Sequence, residues 1–118
     1  MRDYRNTTAY QLTRSLVAHV YSSTQSGAPR SGPTADLRRA AIAAAAHLAD
    51  GGAQRSQSDY LRCLGAAREA LAELPRHVNR CQLRGQLPPQ AASALLVDQA
   101  EASAALRRLI AEAESVAS

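Results

Sequence analysis

Two pairs of side chains in this chain of 118 residues have the types and the spacing of metal ligands. His47 and Asp50 are three residues apart and Glu73 and His77 are four apart, so each pair shares one face of a helix. In a helical hairpin that turns over residues 51–57, however, the two histidines lie about 24 Å apart along the helix axis. They cannot close one site within a subunit, and a structural or surface role for both is the favoured interpretation.

The sequence lacks the motifs that are typical of catalytic sites. A di-iron bundle requires a Glu-x-x-His motif on each of two helices and a Glu on each of the others. The chain also lacks a Cys-x-x-Cys pair, the glycine-rich phosphate and dinucleotide loops, and the nucleophile motif of serine hydrolases. We therefore expect no enzymatic activity and no metal or organic cofactor, and a metal-dependent enzyme is the least favoured function class.

The two cysteines, Cys63 and Cys81, fall in one predicted helix. Their separation along that helix is about 27 Å, which is beyond the reach of a disulfide. We expect free thiols in a reducing compartment, with Cys81 buried as a small apolar side chain.

Arginine is the residue type that indicates a partner. The chain has fourteen Arg, no Lys and ten acidic residues, for a net charge of +4. Residues 1–90 carry twelve of the arginines and six acids, whereas residues 91–118 carry two arginines and four acids. A basic body of this kind attracts nucleic acid. The alternative is that coding bias makes Arg the available solubilising cation.

Seven arginines are the candidate nucleic-acid contacts, namely Arg38, Arg39, Arg55, Arg62, Arg76, Arg80 and Arg84. The last three are spaced by four residues, so they form a stripe on one helix face that can contact phosphates. Because Glu69 and Glu73 stand one turn earlier, a mixed and solvated helix face explains the stripe as well. No aromatic residue is interleaved with these arginines, so any RNA binding should be weak and independent of sequence.

Four segments with helical periodicity must position these side chains. The first covers about residues 7–23, with Asn6 or Thr7 as its N-cap and Ala9, Leu12, Leu16 and Val20 on one face. A loop rich in Gly, Pro and Ser follows over residues 25–33. The second helix begins near Pro33 or Thr34, and Gly51–Gly52 is predicted to end it as a left-handed cap.

The third helix opens at Ser56 and has the clearest apolar seam, which alternates steps of four and three over Tyr60, Leu64, Ala67, Leu71, Leu74, Val78 and Cys81. Pro75 should kink this helix without breaking it, because the seam continues beyond the proline. The fourth helix begins at Pro89, and its predicted seam is Ala92, Leu95, Gln99, Ala102, Leu106, Leu109, Ala113 and Val116. Gln99 is either a buried residue that sets register or, as we favour, a residue at the core margin.

Short connections between four such helices predict an all-α protein, an antiparallel up-down-up-down four-helix bundle that forms one domain over residues 1–118. The core is built from small side chains, since the chain has 26 Ala but no Phe or Trp. A second apolar stripe on helix 2, with Ile42, Ala45 and Ala49, calls for a further partner surface. We therefore expect a homo-oligomer.

The N-terminus has no apolar leader segment, and the longest apolar run, residues 40–46, is far shorter than the ~20 residues of a membrane-spanning helix. We expect a cytoplasmic protein without a membrane partner.

A family resemblance is carried by residues 36 to 73. The stretch Leu37–Ile42, the stretch Ala46–Gly51, and then Arg55, Ser56, Asp59, Tyr60, Arg62, Leu64, Ala67, Leu71 and Glu73 resemble the four-helix bundle family named for the intervening sequence of 23S ribosomal RNA. Departures from the family pattern are His47 in place of Asn, Asp50 in place of Glu, Tyr60 in place of Phe, and the additional Pro75.

The resemblance implies a stand-alone bundle that assembles as a ring of five. One branch is similar to the accessory variability protein of diversity-generating retroelements, a pentamer that binds RNA and a reverse transcriptase. Two hypotheses therefore stand for this chain. The first is a homo-oligomer that binds RNA or a reverse-transcriptase-like protein through its basic surface, and the second is a structural or protein-interaction oligomer with no nucleic-acid role.

Overall fold

A computed structural model describes residues 3–24 and 32–117, and within these ranges every element is helical. A short 3-10 turn, Tyr4–Asn6, precedes four α-helices: α1 (Thr8–Ser23), α2 (Pro33–Gly52), α3 (Gln57–Leu83) and α4 (Pro89–Ala117). Each helix packs against its neighbours in sequence, and α1 also packs against α4. The four helices thus surround one core, which confirms the predicted up-down-up-down bundle.

All four helix starts agree with the sequence prediction, and α4 begins at Pro89 as expected. The hydroxyl oxygen of Thr7 accepts a hydrogen bond from the amide of Tyr10 at 3.2 Å, and that of Ser56 accepts one from the amide of Asp59 at 3.0 Å. Pro33 is the first residue of α2, where its fixed φ favours the helix and its missing N–H has no cost. The predicted loop over 25–33 falls mostly on residues 25–31, which lie outside the described ranges.

The predicted left-handed cap at Gly51–Gly52 is wrong. Both glycines lie within α2, and Ala53, the residue that caps the helix, has a right-handed conformation with φ −88°. Glycine occupies both positions because side chains from other elements lie close to them. A Cβ on Gly52 would lie 2.4 Å from Cδ1 of Tyr4, and one on Gly51 would lie 3.3 Å from Cβ of Cys63. The glycines therefore let the 3-10 turn and α3 approach the end of α2.

Helix α3 is continuous through Pro75 and ends in a Schellman motif. Gly85 adopts φ +72°, its amide donates to the Gln82 carbonyl at 3.0 Å, and the amide of Gln86 donates to the Cys81 carbonyl at 2.8 Å. These two bonds satisfy carbonyls that the helix end leaves without partners. A left-handed glycine thus terminates α3, whereas α2 ends without one.

Pro75 and Gln99 are linked across the α3–α4 interface. Because Pro75 has no N–H, it cannot donate to the carbonyl of Leu71, four residues earlier. The side-chain amide of Gln99 donates to that carbonyl at 2.8 Å and also to the hydroxyl of Ser103 at 3.1 Å. Gln99 is half-buried, which confirms its predicted place at the core margin. Its polar side chain in the α4 seam supplies the hydrogen bond that the α3 proline cannot.

The core follows the predicted seams closely on α3, where all seven positions are buried, and less closely on α1 and α4. On α1, Thr13 is fully buried and Leu12 only partly so. On α4, the predicted seam residue Val116 is 82 % exposed. The reason is the relative length of the helices: Gln57, which begins α3, donates to the carbonyl of Ala113, so the last turn of α4 extends past the start of α3.

Cys63 and Cys81 are both free, and Cys81 is buried, as predicted; Cys63 is buried as well. Burial raises the pKa of the Cys81 thiol. The thiol therefore stays protonated at neutral pH and serves as part of the core.

Candidate nucleic-acid interface

The seven candidate arginines lie at the two ends of the bundle. We call the end where α2 begins and α3 finishes the arginine end, because it holds five of them: Arg38, Arg39, Arg76, Arg80 and Arg84. Arg55 and Arg62 lie at the opposite end, which we call the turn end, where α2 connects to α3. Along α3, Arg62 and Arg84 are separated by about 33 Å. The candidates therefore do not form one surface.

The balance of charge differs between the two ends. At the arginine end, residues 33–40, 73–84 and 89–98 contain five arginines and three carboxylates. At the turn end, residues 50–62 and 107–117 contain four arginines and four carboxylates. The excess positive charge of the helices is therefore concentrated at the arginine end, where an anionic partner would be attracted.

Arg38 has a structural role. Its Nε donates to the hydroxyl of Thr24 at 2.8 Å, one of its terminal nitrogens donates to the Thr24 carbonyl, and its guanidinium lies 4.7 Å from the centre of the Tyr21 ring. Thr24 caps the C-terminus of α1. A cation at this position compensates the carbonyl end of the helix. The Arg38 side chain is thus committed to holding α1 against α2.

Arg39 and Arg80 both interact with Asp36 in the first turn of α2. Arg39 donates to one oxygen of Asp36 at 2.8 Å, and Arg80 reaches the other at 3.6 Å. The hydrogen bond from Arg39 is the main cause of the lowered pKa of Asp36. The carboxylate is therefore ionised at neutral pH, and it orients two guanidiniums from different helices toward the same place.

Arg76 and Arg84 are exposed, and within the described residues their side chains make no ion pair or hydrogen bond. Arg55 is likewise exposed at the turn end, where Arg62 pairs with Asp59 at 3.5 Å. Arg76 and Arg84 are thus the candidates at the arginine end whose guanidiniums a phosphate can approach without breaking an existing bond.

A groove between α2 and α3 adjoins this cluster. It has a volume of about 320 Å³ and is lined by Asp36, Arg39, Ala40, Ala43, Glu73, Arg76 and His77. His77 is only 8 % exposed, and its Nδ1 has no hydrogen-bond partner among the described residues. Burial, with a further contribution from the positive charge of Arg76, lowers the pKa of His77. The imidazole is therefore neutral at neutral pH.

Sequence reasoning missed the grouping of Asp36 with His77. The two residues are 41 positions apart. The available signal was the antiparallel α2–α3 hairpin, which places the first turn of α2 beside the last turns of α3. Using it required the register of the two helices, which depends on tertiary contacts such as the close approach of Cys63 on α3 to Gly51 on α2.

His19 on α1 lies 2.6 Å from Asp98 on α4, measured from Nδ1 to Oδ2, and the pair is partly exposed. Over residues 3–24 and 32–117, no group of three or more His, Cys, Asp or Glu side chains could hold a metal ion. In the same ranges, no helix combines the length and the hydrophobicity needed to span a bilayer.

Comparison with known proteins places the chain in a family. No curated protein matches it significantly. A family model described as the 23S rRNA-intervening sequence protein matches residues 5–108, a range that includes α1, α2, α3 and most of α4. The match confirms the resemblance read from residues 36 to 73. The chain belongs to the 23S rRNA-intervening sequence protein family.

Proposed function

We propose that this chain is a non-enzymatic, cytoplasmic homo-oligomer that binds RNA through its arginine end. The observation that carries the proposal is the uneven charge of the bundle, with five arginines against three carboxylates at one end and balanced charge at the other. Exposed Arg76 and Arg84 supply guanidiniums that are free to contact phosphates. The family resemblance supports RNA, or a reverse-transcriptase-like protein that handles RNA, as the partner.

Substitution at the arginine end should weaken RNA binding and its dependence on salt. Each phosphate contact that is lost reduces the slope of log K against log salt by about 0.7 for a single strand, because fewer counterions are released. The variant with Arg76, Arg80 and Arg84 all changed to Gln should therefore lose about two units of slope. Filter binding of a single-stranded RNA over a salt series measures this slope.

The matched control removes the same charge from the turn end, with Arg55, Arg62 and Arg107 changed to Gln. Its salt slope should stay near that of the wild type. An equal loss in the control would show that binding depends on net charge alone and not on the arginine end. If the intact oligomer retains no RNA at ~50 mM salt, where electrostatic binding is strong, the structural-oligomer hypothesis replaces this one.

Self-association is supported by an apolar groove on the outside of the bundle between α1 and α2. The groove has a volume of about 340 Å³ and is lined by Tyr10, Arg14, Val17, Ile42, Ala45, Ala46 and Ala49. Ile42 is 43 % exposed. The second apolar stripe of helix 2 thus lies outside the core of the subunit, where a second copy of the chain can cover it. A ring of five subunits is what the family resemblance implies.

Changing Ile42 to Glu should dissociate the oligomer, because the cost of removing a carboxylate from water into an apolar contact opposes association. Light scattering coupled to chromatography should give about five times the 12.5 kDa subunit mass for the wild type and the subunit mass for the variant. Val97→Glu is the control, since Val97 is an exposed apolar residue on α4. Dissociation by Val97→Glu and not by Ile42→Glu would place the interface on α4, and a monomeric wild type would refute self-association.

A further inference from the structure

The α2–α3 groove brings together charged side chains from two helices. Three guanidiniums surround it, because Arg39 and Arg76 line the groove and Arg80 reaches the Asp36 carboxylate in its wall. Ala40 and Ala43 line it with small side chains that leave space between the charged groups. With Asp36 and Glu73 ionised and His77 neutral, the net charge of these groups is about +1. The groove can therefore accept an anion.

His77 is the group in the groove that the fold itself leaves unexplained. A buried polar atom without a partner costs about 1–3 kcal/mol, and such atoms in folded proteins call for a specific reason. The Nδ1 of His77 is such an atom: the residue is more than nine-tenths buried, and Nδ1 has no hydrogen-bond partner within the described residues. Since that atom has almost no solvent-accessible surface, an anion bound in the groove that His77 lines acts on the imidazole through its charge.

Asp36 resembles a substitute for a ligand. Its Oδ1 accepts a hydrogen bond from Arg39 of α2 and its Oδ2 lies 3.6 Å from Arg80 of α3, so one anionic group attracts guanidiniums from both helices. Its side chain is two-thirds buried, whereas those of Arg39 and Arg80 are about half exposed or more. The two guanidiniums can therefore turn outward and exchange the carboxylate for an incoming oxyanion.

The geometry points to the α2–α3 groove as a binding site for one oxyanion of the phosphate class, held by Arg39, Arg76 and Arg80 with His77 beside it. In the assembled protein this anion is a phosphodiester of bound RNA, so the inference in this form rests on the proposed function. The site also takes a free oxyanion, which does not depend on RNA binding.

Binding at this site takes up a proton. In the free protein, His77 is neutral because burial and the Arg76 and Arg80 charges oppose protonation, while Asp36 and Glu73 favour it. A bound oxyanion adds negative charge on the same side as these carboxylates and favours the imidazolium. The pKa of His77 is therefore higher in the complex than in the free protein, and affinity rises as the pH falls through the range between the two values.

Calorimetry with two ligands of constant charge tests the site. Sulfate is the free oxyanion, and oligouridylate supplies phosphodiesters whose bases do not titrate in this range; ionic strength is held constant with chloride. Both ligands should bind about three- to tenfold more tightly at about pH 5.5 than at about pH 8. Titration in two buffers of different ionisation enthalpy should show uptake of up to one proton per subunit, a readout that needs no variant.

Variants identify the residues. His77→Gln should abolish the pH response, and Arg76→Gln should weaken both ligands at both pH values. The control is His47→Gln, at a half-buried histidine on α2 outside the groove. It should leave the affinity for both ligands and the pH response unchanged. Circular dichroism at each pH verifies the fold of every variant.

The outcomes separate the two proposals. If sulfate binds with a pH response that depends on His77 but oligouridylate does not bind, the site is supported and the RNA function is overturned. Oligouridylate binding with the same pH response in wild type and His77→Gln supports the RNA function and overturns the site. Absence of sulfate binding and of proton uptake also overturns the site.

Discussion

Replacing Gln99 by Leu should lower the free energy of unfolding by about 1–3 kcal/mol, even though it places an apolar residue in an apolar seam. The reason is the carbonyl of Leu71, which accepts from Gln99 at 2.8 Å and which Pro75 cannot serve. Leucine at position 99 would leave this carbonyl without a donor at a partly buried turn of α3. Urea denaturation followed by circular dichroism, at one fixed protein concentration, measures the loss.

A double-mutant cycle with Pro75→Ala tests the cause. Alanine at position 75 restores the N–H that donates to the Leu71 carbonyl, so Gln99→Leu should be much less harmful in that background. We expect an interaction free energy of about 1–2 kcal/mol between the two sites. Equal costs of Gln99→Leu in the two backgrounds would contradict the link. Ser103→Ala, which removes only the second partner of Gln99, is the control and should cost less than about 0.5 kcal/mol.

Arg38→Gln should lower the free energy of unfolding by about 2 kcal/mol, since hydrogen bonds from charged groups contribute about 1.5–3 kcal/mol. Two bonds to Thr24 and the contact with the Tyr21 ring are lost, and the C-terminus of α1 loses its compensating cation. Because this side chain is committed to α1, its removal should change RNA affinity much less than Arg84→Gln does. Urea denaturation and RNA filter binding on the same preparations separate the two effects.

Two controls accompany this prediction. Arg39→Gln removes the neighbouring charge from an exposed ion pair with Asp36 and should cost no more than about 1 kcal/mol. Arg38→Lys keeps the charge but lacks the planar group of donors, so it should recover only part of the stability. If Arg38→Gln is as mild as Arg39→Gln, the contact between Arg38 and α1 does not stabilise the bundle.

Much of the fold could be predicted because its signals are local. The N-caps at Thr7 and Ser56 and the proline that begins α2 each act within one helical turn. The α3 seam from Tyr60 to Cys81 is a periodic pattern whose positions are all buried. Prediction failed where the answer lay on another element. The sequence pattern of Gly51–Gly52 suggested a cap, but Tyr4, some fifty residues away, explains why Gly52 has no side chain.

The candidate site was predictable only in part. The composition identified arginine as the chemistry-bearing residue, and the spacing of Arg76, Arg80 and Arg84 identified one face of α3. Neither could show that Arg38 is engaged by Thr24, because that contact joins α1 to α2. Spacing along the sequence relates each histidine only to neighbours on its own helix, whereas the groups that affect the pKa of His77 include Asp36 on α2.

The helices, the small-residue core, the excess of arginine and the family resemblance could be predicted, because each is recorded in residue types and in spacings of three and four. Only the packing of the helices shows which arginines remain free, that Gln99 serves the carbonyl that Pro75 cannot, and that His77 lies in a charged groove. Each of these depends on contacts between two helices. Such contacts join residues distant in the chain, which residue types and local spacings do not record.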